Sequence, residues 1–302
     1  MRNGSLYNSI SIYCSCRKIM IFNNDKYQCL SCGNSYPIIK NVCRISGEFS
    51  SRGKMNLDEF NIFNTVADNH FWFKYRNNIL KDVIDSQFRG KSNLKILDLG
   101  CGEGNTIRSL ARFNSDFLIV GCDIFVEGME LSNVNLPLFQ GDASDNLFVE
   151  EQFDIVLLLD VIEHVPDDQK LLNAAHKLLK KNGLLIVMVP AGLYLWSKFD
   201  IISGHFRRYT KKSLLSSINK SSFHVNYITY FMSLILPVYL ARALIYRKKA
   251  QTDSNAIQKQ NLRLNSFVNT TLLKICQIES FILRKIRPFL GASLIAIGTK
   301  LN

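Results

Sequence analysis

Short apolar runs alternate with amphipathic stretches through the middle of the chain. The runs near 94–99, 117–122, 137–140, 153–159 and 184–189 are almost continuously apolar, the composition of strands covered on both faces. Between them, Asn105 to Phe113 carries Ile107, Leu110 and Ala111 at helical spacing. A second helix is marked by Pro166, by Asp167 and Asp168 in its first turn, by Leu171, Leu172, Ala175, Leu178 and Leu179 on one face, and by Lys180-Lys181-Asn182-Gly183 at its end. Strand and helix in alternation predict a doubly wound α/β sheet. Upstream, Asp58 to Phe88 reads as a helix bearing the aromatic cluster Phe71, Trp72, Phe73 and Tyr75. Downstream, Phe223 to Thr229 reads as a sixth strand and Ser293 to Lys300 as a seventh that returns to the sheet. What lies between these two strands is a helical insertion over 231–290. Its first part, 231–246, is apolar but interrupted by Pro237 and Arg242, and its second, 262–287, is amphipathic and stopped by Pro288.

At 302 residues and 47% hydrophobic, the chain can bury a full core. No run approaches ~18 uncharged apolar residues. The N-terminal MRNGSLYNSISIYC lacks the apolar segment of a secretory signal, so a cytoplasmic protein is expected. Eight cysteines could staple a small secreted fold, but Cys101 and Cys122 end predicted buried strands, which fits a reducing compartment better. The net charge of +12 is unevenly placed: residues 197–302 hold 17 Lys and Arg against 3 Asp and Glu. Such asymmetry points to a polyanionic partner, whether nucleic acid, an anionic membrane or a phosphorylated substrate. Arg247-Lys248-Lys249, just beyond the apolar stretch, would suit peripheral contact with an inner membrane face.

Near the N-terminus, Cys14, Cys16, Cys29 and Cys32 form C-x-C-x12-C-x2-C around a hairpin turning at Asn23-Asn24-Asp25. Two cysteine knuckles of this kind make a tetrahedral thiolate site for structural zinc. The expectation is a zinc-ribbon-like module over 1–46, too small for a core of its own and therefore dependent on the metal. Its first knuckle is one residue shorter than the usual C-x2-C, and Cys43 is a conceivable substitute ligand. A polar, glycine-containing stretch then predicts a linker over 47–57, with the main domain over 58–302.

The turn after the first central strand, KILDLGCGEGN, holds Gly100, Gly102 and Gly104. It lacks the spacing of a dinucleotide fingerprint and the Gly-Lys-Ser/Thr ending of a phosphate loop. Asp123 ends the second strand, Asp142 and Ala143 follow the third, and Asp160, Glu163 and His164 follow the fourth. In an open α/β sheet these loops converge on one crevice at the carboxyl ends of the strands, where a carboxylate such as Asp123 can hold ribose hydroxyls.

With these four loops the chain resembles the class I S-adenosylmethionine-dependent methyltransferases, over roughly 58–230 plus the final strand. The resemblance implies a Rossmann-like seven-stranded sheet in which Asp98 to Gly104 cradle the methionine part of S-adenosylmethionine. It further implies that Asp123 grips the ribose, Asp142 with Ala143 faces the adenine, and Asp160 lies by the methionine end. The segments HFWFKYRNNIL, LLLDVIEHVPDD and LWSKFDIISGHFRRYT, together with the cysteine module, look like bacterial methyltransferases of cell-surface glycan and lipid biosynthesis. In related enzymes an aromatic-Arg segment caps the cofactor, which makes Phe71, Trp72 and Arg76 candidates for that role.

Transfer to a hydroxyl needs a base, and His164 and His205 are the candidates. Asp160, Glu163 and His164 also match a D/E-x-x-E-H arrangement that holds a divalent metal in some methyltransferases acting on neighbouring oxygens, such as ubiquinone-pathway enzymes. Here Asp stands for the longer Glu, and no fourth ligand is evident. Arg207, Arg208 and Tyr209 are candidates to bind an anionic small-molecule or lipid-linked acceptor. The rival expectations are an rRNA or tRNA methyltransferase, since a cysteine knuckle with a basic surface also suits RNA, and a scaffold that has lost catalysis. Intact Asp98, Gly100, Gly102 and Asp123 argue against the scaffold.

Overall fold

In a computed structural model, residues 6–45, 57–132, 134–248, 264–283 and 285–301 are described. The expected linker falls almost wholly outside them, as does the stretch 249–263 of the insertion.

The core is a sheet of strands β5 (Lys95–Leu99), β6 (Leu118–Asp123), β7 (Leu138–Gln140), β8 (Phe153–Leu159), β9 (Leu179–Pro190), β10 (Phe223–Phe231) and β11 (Ser293–Lys300), in the order β7-β6-β5-β8-β9-β11-β10. The first five are parallel, and β11 enters antiparallel between β9 and β10. Buried side chains lie on both faces of the sheet, which is why its central strands read as almost continuous apolar runs.

The seven-strand expectation needs enlarging, because the sheet has eleven strands. Strands β1 (Ile21–Asn23), β2 (Lys26–Gln28), β3 (Ser35–Ile39) and β4 (Val42–Arg44) of the cysteine module continue it. A tight turn at Lys40 and Asn41, both at positive φ, reverses the chain and lays β4 parallel to β7, with Cys43 opposite Phe139. An edge that would otherwise present unpaired backbone groups is thereby closed. Nor is the module without a core: Tyr7, Ile10, Ile12, Met20 and Tyr27 are buried in the same cluster as Phe139, Phe148 and Leu97. The Tyr7 hydroxyl receives the Leu138 N–H at 3.2 Å and donates to the Asn41 carbonyl at 2.9 Å, tying module to sheet.

Two element boundaries differ from the pattern. The stretch read as one upstream helix is two, α1 (Leu57–Val66) and α2 (Phe71–Gln87), because the polar Asp68-Asn69-His70 turn interrupts it and His70 caps α2. Helices α3 (Asn105–Phe113), α4 (Val126–Leu131) and α5 (Asp168–Leu178) follow, and β9 begins directly at Leu179, where Lys180 to Gly183 had suggested a helix end. Beyond α6 (Lys198–Ile202) and α7 (Lys211–Lys220), the insertion forms α8 (Leu236–Lys248) and α9 (Ser266–Leu283). Pro237 sits in the first turn of α8, where its missing N–H costs no helical bond.

Candidate functional site

The glycine turn, Asp123, Asp160 and the segment 205–209 all lie at the carboxyl ends of the parallel strands. Gly100, Gly102 and Gly104 all take positive φ, the conformation that turns β5 sharply into α3. At Gly100 a Cβ would stand 2.5 Å from a Val161 methyl, whereas at Gly102 it would meet nothing within 4 Å, so the backbone there faces open space able to take a ligand. Asp123 organises this turn. Its carboxylate accepts the Gly102 N–H at 2.8 Å through Oδ2 and the Phe125 N–H at 2.9 Å through Oδ1.

Four carboxyl groups surround the opening, and burial raises all four. Asp98 is pushed up to about 7, opposed by Arg76 and reinforced by Asp123 and Glu103. Glu103, Asp123 and Asp160 are shifted in the same direction by the same desolvation. The principal cation among them is Arg76, which donates to Asp160 at 3.1 Å and to the Thr106 hydroxyl at 2.9 Å and lies over the rings of Trp72 and Phe73. Its Nε finds no partner among the described residues. A cavity so rich in desolvated carboxyls fits a ligand that brings positive charge and paired hydroxyls, and Arg76 can meet a carboxylate. Asp160 holds this place from a strained backbone at φ 57. Asp142 caps a short turn over Ala143–Asp145, accepting from the Ser144 N–H and hydroxyl.

The second half of the crevice is built around histidines. The segment 205–209 runs beside the end of β9, with Phe206 N–H donated to the Glu163 carbonyl at 2.8 Å and Tyr209 N–H to the Pro190 carbonyl. His205 Nδ1 lies 2.9 Å from Asp200 Oδ1, and the His205 ring meets His164 edge to face with centroids 4.7 Å apart. Asp200 is 0% exposed and also accepts from Arg208 Nε at 2.7 Å and the Ser197 N–H at 2.9 Å. Burial alone would raise Asp200, but the His205 and Arg208 contacts outweigh it and hold the carboxyl below its ordinary value. Burial, aided by His205, lowers His164 to about 4, so it is neutral at pH 7. Glu163 is 1% exposed; neither carboxylate oxygen has a hydrogen-bond partner among the described residues, and Oε1 lies 4.0 Å from His164 Nε2. Its pKa rises well above the usual carboxylate range, through burial and then Asp160. The ligating atoms of Glu163, His164 and His205 lie within 4.8 Å of one another.

Three residues expected at the acceptor have other partners. Tyr209 is 2% exposed and donates to Asp168 at 2.9 Å, inside the core. Arg208 is committed to Asp200 and the Ala191 carbonyl. Arg207 donates to the Val165 and Pro166 carbonyls. Together they fasten the 205–209 segment to β9 and α5, which is what positions His205. Pattern reading missed Asp200, whose only sequence signal is a lone carboxylate in an apolar turn five residues before a histidine.

At the far edge, Cys14, Cys16, Cys29 and Cys32 gather their sulfurs within 4.8 Å of one another, with Cys14 and Cys32 at 3.4 Å and Cys16 and Cys29 at 3.5 Å. A tetrahedral zinc–thiolate site with bonds of about 2.3 Å has edges of roughly 3.8 Å, so the four thiols fit such an ion. Cys43 lies in the core and is not part of the group.

A family profile described as a methyltransferase domain matches residues 72–226. The ubiquinone biosynthesis O-methyltransferase of Pelagibacter ubique is 30% identical over 166 residues, covering 49% of this chain and 68% of that protein. Its namesake from Bartonella tribocorum is 36% identical over 102 residues, 32% of this chain and 40% of that protein. Among solved structures, phosphoethanolamine N-methyltransferase 2 of Haemonchus contortus with S-adenosyl-L-methionine aligns with a TM-score of 0.54 at 15% identity, over 89% of this chain and 62% of that one. A putative sarcosine dimethylglycine methyltransferase from Galdieria sulphuraria gives 0.52 at 14% identity, over 75% of this chain and 85% of that one. At these identities the structures speak for the fold alone.

Proposed function

Because the chain belongs to the methyltransferase-domain family and is an S-adenosylmethionine-dependent enzyme, we propose that it methylates a hydroxyl of an anionic glycan- or lipid-linked intermediate, with His205 as the base. The observation that carries this reading is the 2.9 Å contact between His205 Nδ1 and the buried Asp200. His205 Nδ1–H donates to Asp200 and leaves Nε2 as the acceptor, which assigns the tautomer from the partner. The bound cofactor supplies an electrophilic methyl group on a sulfonium. The chain's own residues do the rest. Asp123 and the Gly100–Gly104 backbone seat the nucleoside and its tail, Asp98, Glu103 and Asp160 favour its positive charge, and Trp72 with Arg76 covers it. His205 Nε2 would take the proton of the acceptor hydroxyl, whose oxygen would receive the methyl group the cofactor supplies while the carbon–sulfur electron pair stays on sulfur. The O-methyltransferase names of the relatives support oxygen as the acceptor atom, and the basic excess of residues 197–302 supports an anionic one.

The test is to incubate the protein with methyl-labelled cofactor and fractionated bacterial extract. Label in organic-soluble material that disappears in His205→Ala is expected, whereas label in RNA overturns the acceptor assignment. A second reading is favoured by the buried Glu163 carboxylate, which has no hydrogen bond among the described residues: a divalent ion held by Glu163, His164 and His205, which would polarise the acceptor hydroxyl. It differs from the D-x-x-E-H set in replacing Asp160, which pairs with Arg76, by His205. Activity abolished by a chelator and restored by magnesium or manganese would select it. At the sheet edge, the thiol geometry supports structural zinc on Cys14, Cys16, Cys29 and Cys32, to be checked as one equivalent of metal by elemental analysis.

A further inference from the structure

Helices α8 and α9 turn apolar side chains toward solvent. On α9, Phe267 and Phe281 lie on one stripe, 14 residues and about four turns apart, and Phe267 is 79% exposed. On α8 the outward residues Val238, Leu244 and Ile245 are apolar too, and Phe289, just beyond α9, is 91% exposed. The segment leading into α8 is joined to α9 and to the stretch beyond it. The Ser233 N–H and Leu234 N–H at the start of α8 donate to the Glu279 carboxylate of α9, and the Ser233 hydroxyl donates to the Leu290 carbonyl at 2.6 Å.

The charge around this surface has one sign. Over 231–248, 264–283 and 285–290 the sole acidic residue is Glu279, which is buried in the contacts just named, while Arg242, Arg247, Lys274, Lys285 and Arg287 are basic. We propose that α8, α9 and the Phe289 segment dock on an anionic lipid bilayer, with the apolar side chains entering the interface and the basic groups at headgroup level. Polyphosphate alone would leave the exposed Phe, Leu and Ile residues unmatched, and a second copy of the same face would set basic groups against basic groups. No helix among the described residues is long and apolar enough to cross the membrane, so the chain would lie on it. Near the end of α8, Arg247 donates to the Tyr194 and Trp196 carbonyls, a few residues before Asp200, so a docked bilayer would lie beside the segment that carries the site.

The test is co-sedimentation of the full chain with vesicles of phosphatidylcholine alone and with roughly a third phosphatidylglycerol. It is performed without cofactor, so its failure leaves the methyl-transfer reading standing. Binding to the anionic vesicles that weakens with salt is expected. The combined variant Phe267→Ser, Phe281→Ser, Phe289→Ser should weaken it about tenfold or more, with the affinity for S-adenosylhomocysteine unchanged. Should that variant fold poorly, Phe289→Ser alone, at a side chain too exposed to matter to the core, should still give a measurable loss. The proposal is overturned by absence of sedimentation, by binding indifferent to these substitutions, by a dimer that they dissociate, or by equal retention on RNA.

Discussion

Replacing Asp123 by Asn tests the cofactor half of the site without knowledge of the acceptor. In the ligand-free protein each carboxylate oxygen accepts a backbone N–H, from Gly102 at 2.8 Å and Phe125 at 2.9 Å. The amide nitrogen of Asn must therefore face one of these donors, leaving a buried N–H without an acceptor at a cost of about 1–3 kcal/mol. For a chain of this size that corresponds to a fall in Tm of roughly 2–6 °C. Ribose hydroxyls donating to a full carboxylate contribute about 1.5–3 kcal/mol each. Losing the charge and one acceptor site should thus weaken binding about ten- to a hundredfold, at 1.4 kcal/mol per tenfold. Calorimetry with S-adenosylhomocysteine gives the Kd, and a thermal melt without ligand separates the structural loss from the binding loss. A folded variant that binds within twofold of the parent would refute the assignment of Asp123 to the sugar.

Burial holds Asp98 protonated up to about pH 7 in the free protein, so its folded pKa lies above the unfolded one and its contribution to stability declines as pH rises from about 4 to 7. A cationic ligand favours the ionised form, so cofactor affinity should rise over the same window with proton release, detectable by calorimetry in buffers of different ionisation enthalpy. Asp200→Asn should lower kcat about 10²–10⁴-fold, with Kd for S-adenosylhomocysteine nearly unchanged, because the tautomer of His205 is lost while the cofactor pocket is not; an equal loss in both would mean the site had merely collapsed. On the proposed zinc site, Cys29→Ser with Cys32→Ser should abolish metal binding and speed amide exchange at Leu138 to Gln140, because β4 protects that edge; unchanged exchange would show that the module holds without these thiols.

The strands of the central sheet were legible because burial on both faces demands uninterrupted apolar residues, and their ends located the glycine turn, Asp123 and Asp160 by chain order alone. The cysteine spacing was local as well, so the four thiols that cluster could be named from the sequence. Tertiary structure decided what depends on partners distant in the chain. Nothing local announces that β4 will extend the sheet along β7, since edge pairing is made by backbone groups that every sequence carries. The roles of Arg207, Arg208 and Tyr209 changed for a related reason: an arginine looks alike in sequence whether it meets a ligand or, as Arg208 does, a buried carboxylate. Asp200 became visible only when the fold removed it from water and set it against His205, because a carboxylate acquires its meaning from desolvation and from what lies within 3 Å of it.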